Sequence, residues 1–480
     1  MQLSVANSWN PLKGFVKSLI ALLFQNDAIS SWWGDGQQSQ TASKSLCPST
    51  AAFLRVDSDH QNHFAQLDCH ARYWWTSSGH ALAILLEKAG YPTHAQHQLL
   101  EFVRAITPSL GFGHAPGREQ RWKSFMTDDH TPIELSWDWR TGCSLPKIRF
   151  SIEPVGIDAG THIDPNNQYA ASRLLETMAR LLPESDMEWL GHFQKQLNNI
   201  EVMAGIDPIE GHRSREFYGF DLNEDGSIMS KAYFFPGFKA KATRQSNFDV
   251  IVDTIKTAPN CTPGKLQALQ IFQEYVYDTS SPLLEMDMLA IDLVDSAEPR
   301  FKIYFRVRDT SFAFVREIMS LGNRIHTPEL NRGLEELRRL YHALLGRLDT
   351  ADDKLPADDV QLPAKDHRTA GILYNVEFKY GSKNPKVKAY LPVRHYARSE
   401  KAIISALTAH LKSTESSTGS PRTTIINYTN ALKTILQVIL CSFSSLNNNA
   451  YFETSITNML LAHERRWRPV VECTHTSAVL

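Results

Sequence analysis

The sequence predicts an α+β fold: one antiparallel β-barrel with a solvent-accessible lumen, ringed by α-helices. Three observations predict it. Pairs of alternating segments are separated by pairs of helical segments, and this unit recurs about every 75–85 residues without residue-for-residue similarity. Short turns join the members of each alternating pair, which makes them antiparallel hairpins. A cation followed two positions later by tyrosine recurs on three strands: Lys231-Ala-Tyr233, Lys302-Ile-Tyr304 and Lys388-Ala-Tyr390.

Of the 480 residues, 42% are hydrophobic and 21% charged, and the net charge is -2. That is a globular composition without an overall pull toward nucleic acid or a membrane surface, so any basic patch must be local. The cysteines, at 47, 69, 143, 261, 441 and 473, form no CxxC pair and have no metal-ligand spacing. Reduced thiols and a cytoplasmic location are expected. The apolar run Ser18–Phe24 is too short to span a bilayer and lacks a cleavage site, so an amphipathic surface helix is expected there. Residues 34–50, rich in Gly, Ser, Gln and Thr, read as a linker. Residues 1–60 are expected to form a partly disordered extension. Residues 61–480 are expected to form one domain, atypical from about residue 413, in a monomer or homodimer.

The elements follow in order. A helix begins near Ala71, with Trp75, Leu82, Leu85, Leu86 and Ala89 mostly at three- and four-residue intervals before Gly90. Thr93–Ile106 is the second helix. Pro132–Trp139 and Lys147–Pro154 alternate as the first strand pair. Asp164–Leu182 and Glu184–Leu197 are helical. Arg215–Leu222 and Ser230–Phe235 are strands joined by the turn Asn223-Glu224-Asp225-Gly226. Phe248–Lys256 and Pro263–Asp278 are helices, Leu289–Val294 and Phe301–Arg308 strands, Phe312–Leu321 and Glu329–Leu345 helices. After an acidic loop, Ala351–Asp366, come the strands Tyr374–Tyr380 and Val387–Pro392 and the helix Ser399–Leu411.

The strand faces carry the chemistry. In Pro299–Arg308, Phe301, Ile303, Phe305 and Val307 share one face, and Arg300, Lys302, Tyr304, Arg306 and Arg308 share the other. Alone, this strand reads either as a basic edge that resists pairing or as a wall for a multiply charged anion. If helices cover the outside, the apolar faces point outward and the polar faces line the lumen. Arg149, Lys231, Arg300, Lys302 and Lys388 then gather inside with Tyr233, Tyr304 and Tyr390. Buried cations need an anion, and diphosphate suits arginine forks and lysine point charges. Tyrosine faces attract a carbocation. Glu134 shares a lumen face with Ser136 and Asp138. Among cations it is expected to stay ionised, either accepting an N–H or O–H from an aromatic ligand or balancing the charge. Arg306 and Arg308 are expected at the rim, outside the site.

These residues are similar to those of the fungal dimethylallyltryptophan synthase-type aromatic prenyltransferases. The matching motifs run in that family's order over roughly residues 70–412. They include Trp74-Trp75, Ala89-Gly90-Tyr91, the segment Ser124–Trp137, Ile148-Arg-Phe-Ser-Ile-Glu-Pro154 and Ala159-Gly-Thr161. They continue with Lys231-Ala-Tyr-Phe-Phe-Pro236, Arg300-Phe-Lys-Ile-Tyr304 and Lys388-Ala-Tyr-Leu-Pro-Val-Arg-His-Tyr396. The resemblance implies the ABBA barrel of αββα repeats. It also implies transfer of a dimethylallyl group from dimethylallyl diphosphate to an aromatic ring in fungal secondary metabolism, with no cofactor and no metal. By the same resemblance Glu134 binds an indole N–H, and Arg149, Lys231, Arg300, Lys302 and Lys388 hold the diphosphate. Tyr233, Tyr304 and Tyr390 shield the allyl cation. The sequence has no DDxxD motif, and Asp128-Asp129-His130 and Asp358-Asp359 read as turn or loop acids. Relatives that act at C4 of tryptophan use a lysine on the strand before Lys231. Here Arg215-Glu-Phe-Tyr-Gly-Phe-Asp221 has none, which leaves Glu134, Tyr218 or His130 as the base. The partners expected are dimethylallyl diphosphate and an indole-containing acceptor, a tryptophan-derived cyclic dipeptide or an indole diterpene, with a phenolic or polyketide ring as the alternative. Nucleic acid is not expected, because cations and aromatics alternate inside strands.

The pattern fails after Leu411. Asn427–Leu436 fits a helix, but Gln437–Leu480 shows no alternating pair. Tyr451–Ile456 is the candidate strand there, and Met459–Arg466 reads as helix. A barrel without its last hairpin has an open edge and a wet lumen. The alternative class is therefore a catalytically impaired relative that still binds its ligands.

Overall fold

The computed structural model describes residues 50–480 apart from 62–66, 114–119, 128, 139–144, 199–210, 295–299, 349–353, 414–420, 445–470, 475–476 and 479–480. The described residues form a ten-stranded antiparallel sheet whose strand order is the chain order. Its hairpins are β1 (Ile133–Asp138) with β2 (Lys147–Ile152), β3 (Glu216–Leu222) with β4 (Ile228–Phe234), and β5 (Glu285–Asp292) with β6 (Arg300–Val307). They continue with β7 (Ile372–Lys379) and β8 (Lys386–Leu391), then β9 (Val471–Thr474) and β10 (Ser477–Ala478). The sheet curls far enough that the loop before β1 and the segment after β8 wall one cavity.

Helices fill the intervals. Before β1 lie α1 (Ala51–Gln61), α2 (Cys69–Trp74), α3 (His80–Lys88) and α4 (Thr93–Ile106). Between β2 and β3 lie α5 (Ala170–Leu181) and α6 (Glu188–Leu197). Between β4 and β5 lie α7 (Gly237–Thr243), α8 (Asn247–Lys256) and α9 (Gln267–Tyr277). The β6–β7 interval holds α10 (Phe312–Ser320) and α11 (Pro328–Leu344), and α12 (Val393–Tyr396), α13 (Glu400–Ser413) and α14 (Pro421–Ser444) follow β8. Local chemistry sets their ends. Asp68 caps α2 by accepting the His70 and Ala71 N–H groups at 2.8 Å. Asp164 accepts the Gln168 N–H at 2.7 Å and Asn167 takes a φ of 51°, so α5 starts after this turn and not at Asp164. α1 lies in the stretch read as an extension, yet its Ala52, Phe53 and Val56 enter the main core, and Phe53 stacks on Trp75 at 4.7 Å.

The sheet is apolar outside and polar inside. Phe301, Ile303, Phe305 and Val307 of β6 pack with the helices in the large outer core, as do Phe220 and Leu222 of β3. Each large side chain so buried contributes about 1.5–3 kcal/mol. A second, smaller cluster of Phe217, Phe235, Met288, Ala290 and Tyr304 occupies the lumen face. Among the described residues, no helix is long and apolar enough to cross a membrane.

Two strand expectations are corrected. β5 starts at Glu285 and not at Leu289. Met286 pairs with Phe305 and Met288 with Tyr304, so Asp287 is an extra, bulged residue that breaks the alternation. The tail does supply a further strand pair: β9 pairs with β8 from Leu391↔Val471 to Lys388↔Thr474, and β10 pairs with β9. Strands of four and two residues are too short to reveal a period of two. Tyr451–Ile456 and Met459–Arg466 lie outside the described residues, and no ladder joins β10 to β1 among those described.

Candidate active site

Strand alternation brings Arg149, Lys231, Arg300 and Lys302 to the lumen face at one end of the barrel, where each meets a carboxylate. Arg149 contacts Asp138 at 2.7 Å and Asp221 at 3.2 Å, and Lys231 donates to Asp221 at 2.6 Å. Lys302 donates to Asp292 at 2.9 Å, and Arg300 pairs with the same acid and reaches Glu377 at 3.8 Å. Burial alone would raise these acids. Lys231 and Arg149 instead bring Asp221 down to about 2, and Lys302 and Arg300 hold Asp292 below its usual range. Burial brings Lys231 down to about 8 against the upward pull of Asp221. Lys388 takes the β8 position opposite Asn375. The sequence leads one to expect cations awaiting an anion. The structure has a floor already balanced by Asp138, Asp221, Asp292 and Glu377, most of which strand periodicity did not single out.

Above the floor the aromatic residues stand in file. Ring centroids lie 6.0 Å apart for Tyr233 and Tyr304, and 5.9 Å apart for Tyr304 and Tyr390. Phe217, a position that sequence reasoning missed, stacks on Tyr233 at 4.1 Å and extends the file. Its signal was its place on the lumen face of β3, two residues before Gly219. A Cβ at Gly219 would lie 3.1 Å from the Tyr233 ring, so glycine makes room for the file. Asn375 donates to the Tyr390 hydroxyl at 2.7 Å. Burial, with Tyr304 adding, holds the Tyr233 hydroxyl well above its ordinary range and therefore protonated.

Glu134 sits toward the other end, opposite Ser151. Its diagonal neighbour Arg149 turns away to Asp138 and Asp221. Burial accordingly raises the Glu134 carboxyl to about 7, with Arg394 opposing. The expectation that lumen cations keep it fully ionised is therefore not met, because those cations are paired elsewhere.

Past Glu134 the barrel opens into a cavity of about 1210 Å³, walled by segments around Trp122, His130, His212, Arg368 and Arg394. Glu153 fixes one wall by accepting from Trp122 Nε1 at 2.9 Å and Ser124 Oγ at 2.5 Å. Gly160, at a φ of 75°, lets the wall close, since a Cβ there would lie 2.1 Å from the Arg121 carbonyl oxygen. The rim arginines hold the facing wall. Arg306 donates to the Thr369 carbonyl at 3.0 Å and Arg308 to the Ala370 carbonyl at 3.0 Å, while Arg308 also grips Glu285.

Of the candidate bases, Tyr218 faces the helices. Its hydroxyl donates to Glu216 Oε2 at 3.0 Å, and burial with Glu216 raises it well above its range. His130 lines the cavity, and its Nδ1 donates to the Ser124 carbonyl at 2.9 Å, which leaves Nε2 as the acceptor. Asp129 binds Thr127 and Thr131 within its turn, and Asp358 anchors Arg316 and Arg338. Asp128 lies outside the described residues. Asp59, His97 and Glu101, on α1 and α4 outside the barrel, are the group with metal-ligand spacing among the described residues.

A curled antiparallel sheet ringed by helices, with an ion-paired floor and a file of tyrosines in its lumen, defines an aromatic prenyltransferase of the ABBA type. The sequence model of the tryptophan dimethylallyltransferase family matches residues 70–422, and the chain belongs to that family. It is 33% identical over 349 residues to the 4-O-dimethylallyl-L-tyrosine synthase of Claviceps purpurea, covering 71% of this chain and 76% of that protein. It is 31% identical over 352 residues to a 7-dimethylallyltryptophan synthase of Aspergillus fumigatus, covering 70% and 72%. The crystal structure of NotF in complex with brevianamide F and DMSPP superposes with a TM-score of 0.66 at 25% identity, over 81% of this chain and 90% of that one. The chain is thus an enzyme of the prenyltransferase class whose relatives act on aromatic acceptors.

Proposed function

We propose that the chain transfers the dimethylallyl group of dimethylallyl diphosphate to an indole acceptor by Friedel–Crafts alkylation, without a metal. The observation that carries this reading is the stacking of three layers along the lumen: a floor of ion-paired arginines and lysines, the tyrosine file, then Glu134. Arg149, Lys231, Arg300, Lys302 and Lys388 receive the diphosphate and stabilise it as the allylic C–O bond breaks and its electron pair leaves with the diphosphate. The allyl cation forms against Tyr233, Tyr304 and Tyr390, whose ring faces stabilise it and exclude water. The Glu134 carboxylate accepts the indole N–H and raises the electron density of the ring. The ring attacks, a new C–C bond forms, and the ring proton passes to a base. We take Glu134 or His130 as that base.

A phenolic acceptor is the second reading, favoured by the likeness to a tyrosine synthase. Its O–H would meet Glu134 in the same way, with C–O bond formation in place of C–C. Incubation with dimethylallyl diphosphate and a panel of indoles and phenols, with products identified by mass spectrometry, tests both. Turnover is expected to survive EDTA, since the floor cations do the work of a metal; loss of activity restored by Mg²⁺ would refute that part. Tyr304→Ala is expected to divert a measurable share of turnover to free dimethylallyl alcohol, because water reaches the cation. Unchanged partition between alcohol and prenylated product would remove Tyr304 from the shield.

A further inference from the structure

We propose that Asp59, His97 and Glu101, with His60 behind them, form a binding site for a zinc ion that fastens α1 to α4 on the outside of the barrel. The inference rests on the fold alone and is independent of the transferase reading above. The donors come from two helices. Asp59 and His60 stand near the C-terminal end of α1, and His97 and Glu101, four residues apart, share one face of α4. The ligand atoms of Asp59, His97 and Glu101 all lie within 4.8 Å of one another. The family match begins at residue 70, so α1 precedes it and α4 lies within it.

The spacing fits a small tetrahedral ion. His97 Nε2 lies 3.3 Å from Asp59 Oδ2 and 3.8 Å from Glu101 Oε1. Ligands about 2.0–2.2 Å from a tetrahedral zinc ion stand roughly 3.3–3.6 Å apart, so small side-chain rotations admit the ion. The second oxygen of Glu101 is already engaged, because His60 Nε2 lies 2.6 Å from Oε2. That separation is too short for two ligands of one ion, and it leaves Oε1 turned toward His97. His60 is therefore a positioning residue that holds the carboxylate from behind. An imidazole with two carboxylates suits zinc, whereas calcium and magnesium take oxygen ligands. With its proton on Nδ1, His97 presents the Nε2 lone pair. Two cations compete for the acids: Arg55 lies 3.8 Å from Asp59, and Arg104 interacts with Glu101 through its charge. All four side chains of the site are partly exposed, so an ion reaches them from solvent.

The place of the site in the fold gives it a task. α1 is tied to the core through Ala52, Phe53 and Val56, and Asp57 accepts from Trp75 Nε1 at 3.1 Å in the π-helical turn Trp75–Gly79. α4 meets the barrel itself, with the Phe102 ring 5.1 Å from Phe220 and 6.4 Å from Phe150. Asp59 and His60 lie in the last turn of α1, beyond those core contacts. An ion shared there pins that turn to the helix that rests on the sheet. It binds the folded chain in preference to the unfolded one, in which the two helices are separate, and so stabilises the fold. The rival reading is a set of histidine–carboxylate hydrogen bonds with no metal.

Titration of ZnCl₂ into the full chain, after EDTA treatment and dialysis, separates the two. Calorimetry is expected to show one tightly bound equivalent, and zinc at about 100 times its Kd is expected to raise Tm by about 3 °C. His97→Gln and Asp59→Asn are expected to abolish both the equivalent and the Tm rise. His60→Ala is expected to weaken binding by about 10–100-fold with the stoichiometry kept, and His60→Gln, which retains a donor for Glu101, to recover part of that loss. Near-UV circular dichroism in EDTA checks that each variant folds, and Glu101→Gln replaces any that does not. Absence of a saturable equivalent in the wild type overturns the inference. So does binding that His97→Gln and Asp59→Asn leave intact, since the zinc then sits on other histidines. Binding without a Tm rise overturns the fastening role, and preference for Mg²⁺ or Ca²⁺ at the same stoichiometry overturns the assignment to zinc.

Discussion

Lys302→Ala is expected to lower kcat/KM by about 10²–10³-fold, the loss that follows removal of one electrostatic contact to a leaving anion. Its Tm should also fall. Lys302 neutralises Asp292, whose side chain is fully buried, and breaking a buried pair on one side costs up to about 3–5 kcal/mol. The cost is less here because Arg300 still holds Asp292. A single variant therefore mixes a chemical effect with a structural one. Lys302→Met combined with Asp292→Asn removes both charges. Thermal unfolding should show the Tm partly restored, since Arg300 then keeps only Glu377, while steady-state kinetics should show activity still lost. If the double variant regains activity, Lys302 is only the partner of Asp292 and leaves the diphosphate site.

Glu134→Gln is the second large effect. Its carboxyl, raised to about 7 by burial, must be ionised to take up a proton or to polarise an N–H as an anion. The wild-type kcat/KM should therefore climb as pH rises through about 7. Glu134→Gln should lose about 10²–10⁴-fold and lack that limb. The sign for stability is opposite. The folded value lies above the unfolded one, so the contribution of this group is fully present below the unfolded pKa and lost as pH rises through about 7. Glu134→Gln should hence raise Tm at pH 8 and change it little at pH 4, a trade of stability for activity at one residue. A Gln variant that keeps the wild-type pH limb would take that titration away from Glu134.

How far the sequence reached depended on the range of each interaction. β6 was legible because eight residues of strict alternation leave one assignment of faces. The tyrosine file was legible for the same reason, since each member repeats a local spelling. Asp287 hid the first half of β5, because one bulged residue inverts the pattern around it. β9 and β10 were invisible, because four and two residues repeat the alternation too few times to mark a strand. Tyr218 was misread as a candidate base because alternation separates the two faces of a strand without telling which one meets solvent or ligand.

The sequence by itself determined the barrel, its inside-out polarity and the cations and tyrosines of its lumen face, because strand period and hairpin spacing are local properties. Tertiary structure alone decided the charge state of that lumen. Asp221 and Asp292 sit on strands next to the lysines that they neutralise, and Glu134 sits one diagonal from an arginine that turns away from it. Electrostatic balance is a sum over neighbours brought together by pairing and curl. Only the assembled barrel shows that its floor cations are paired and that burial raises its acid.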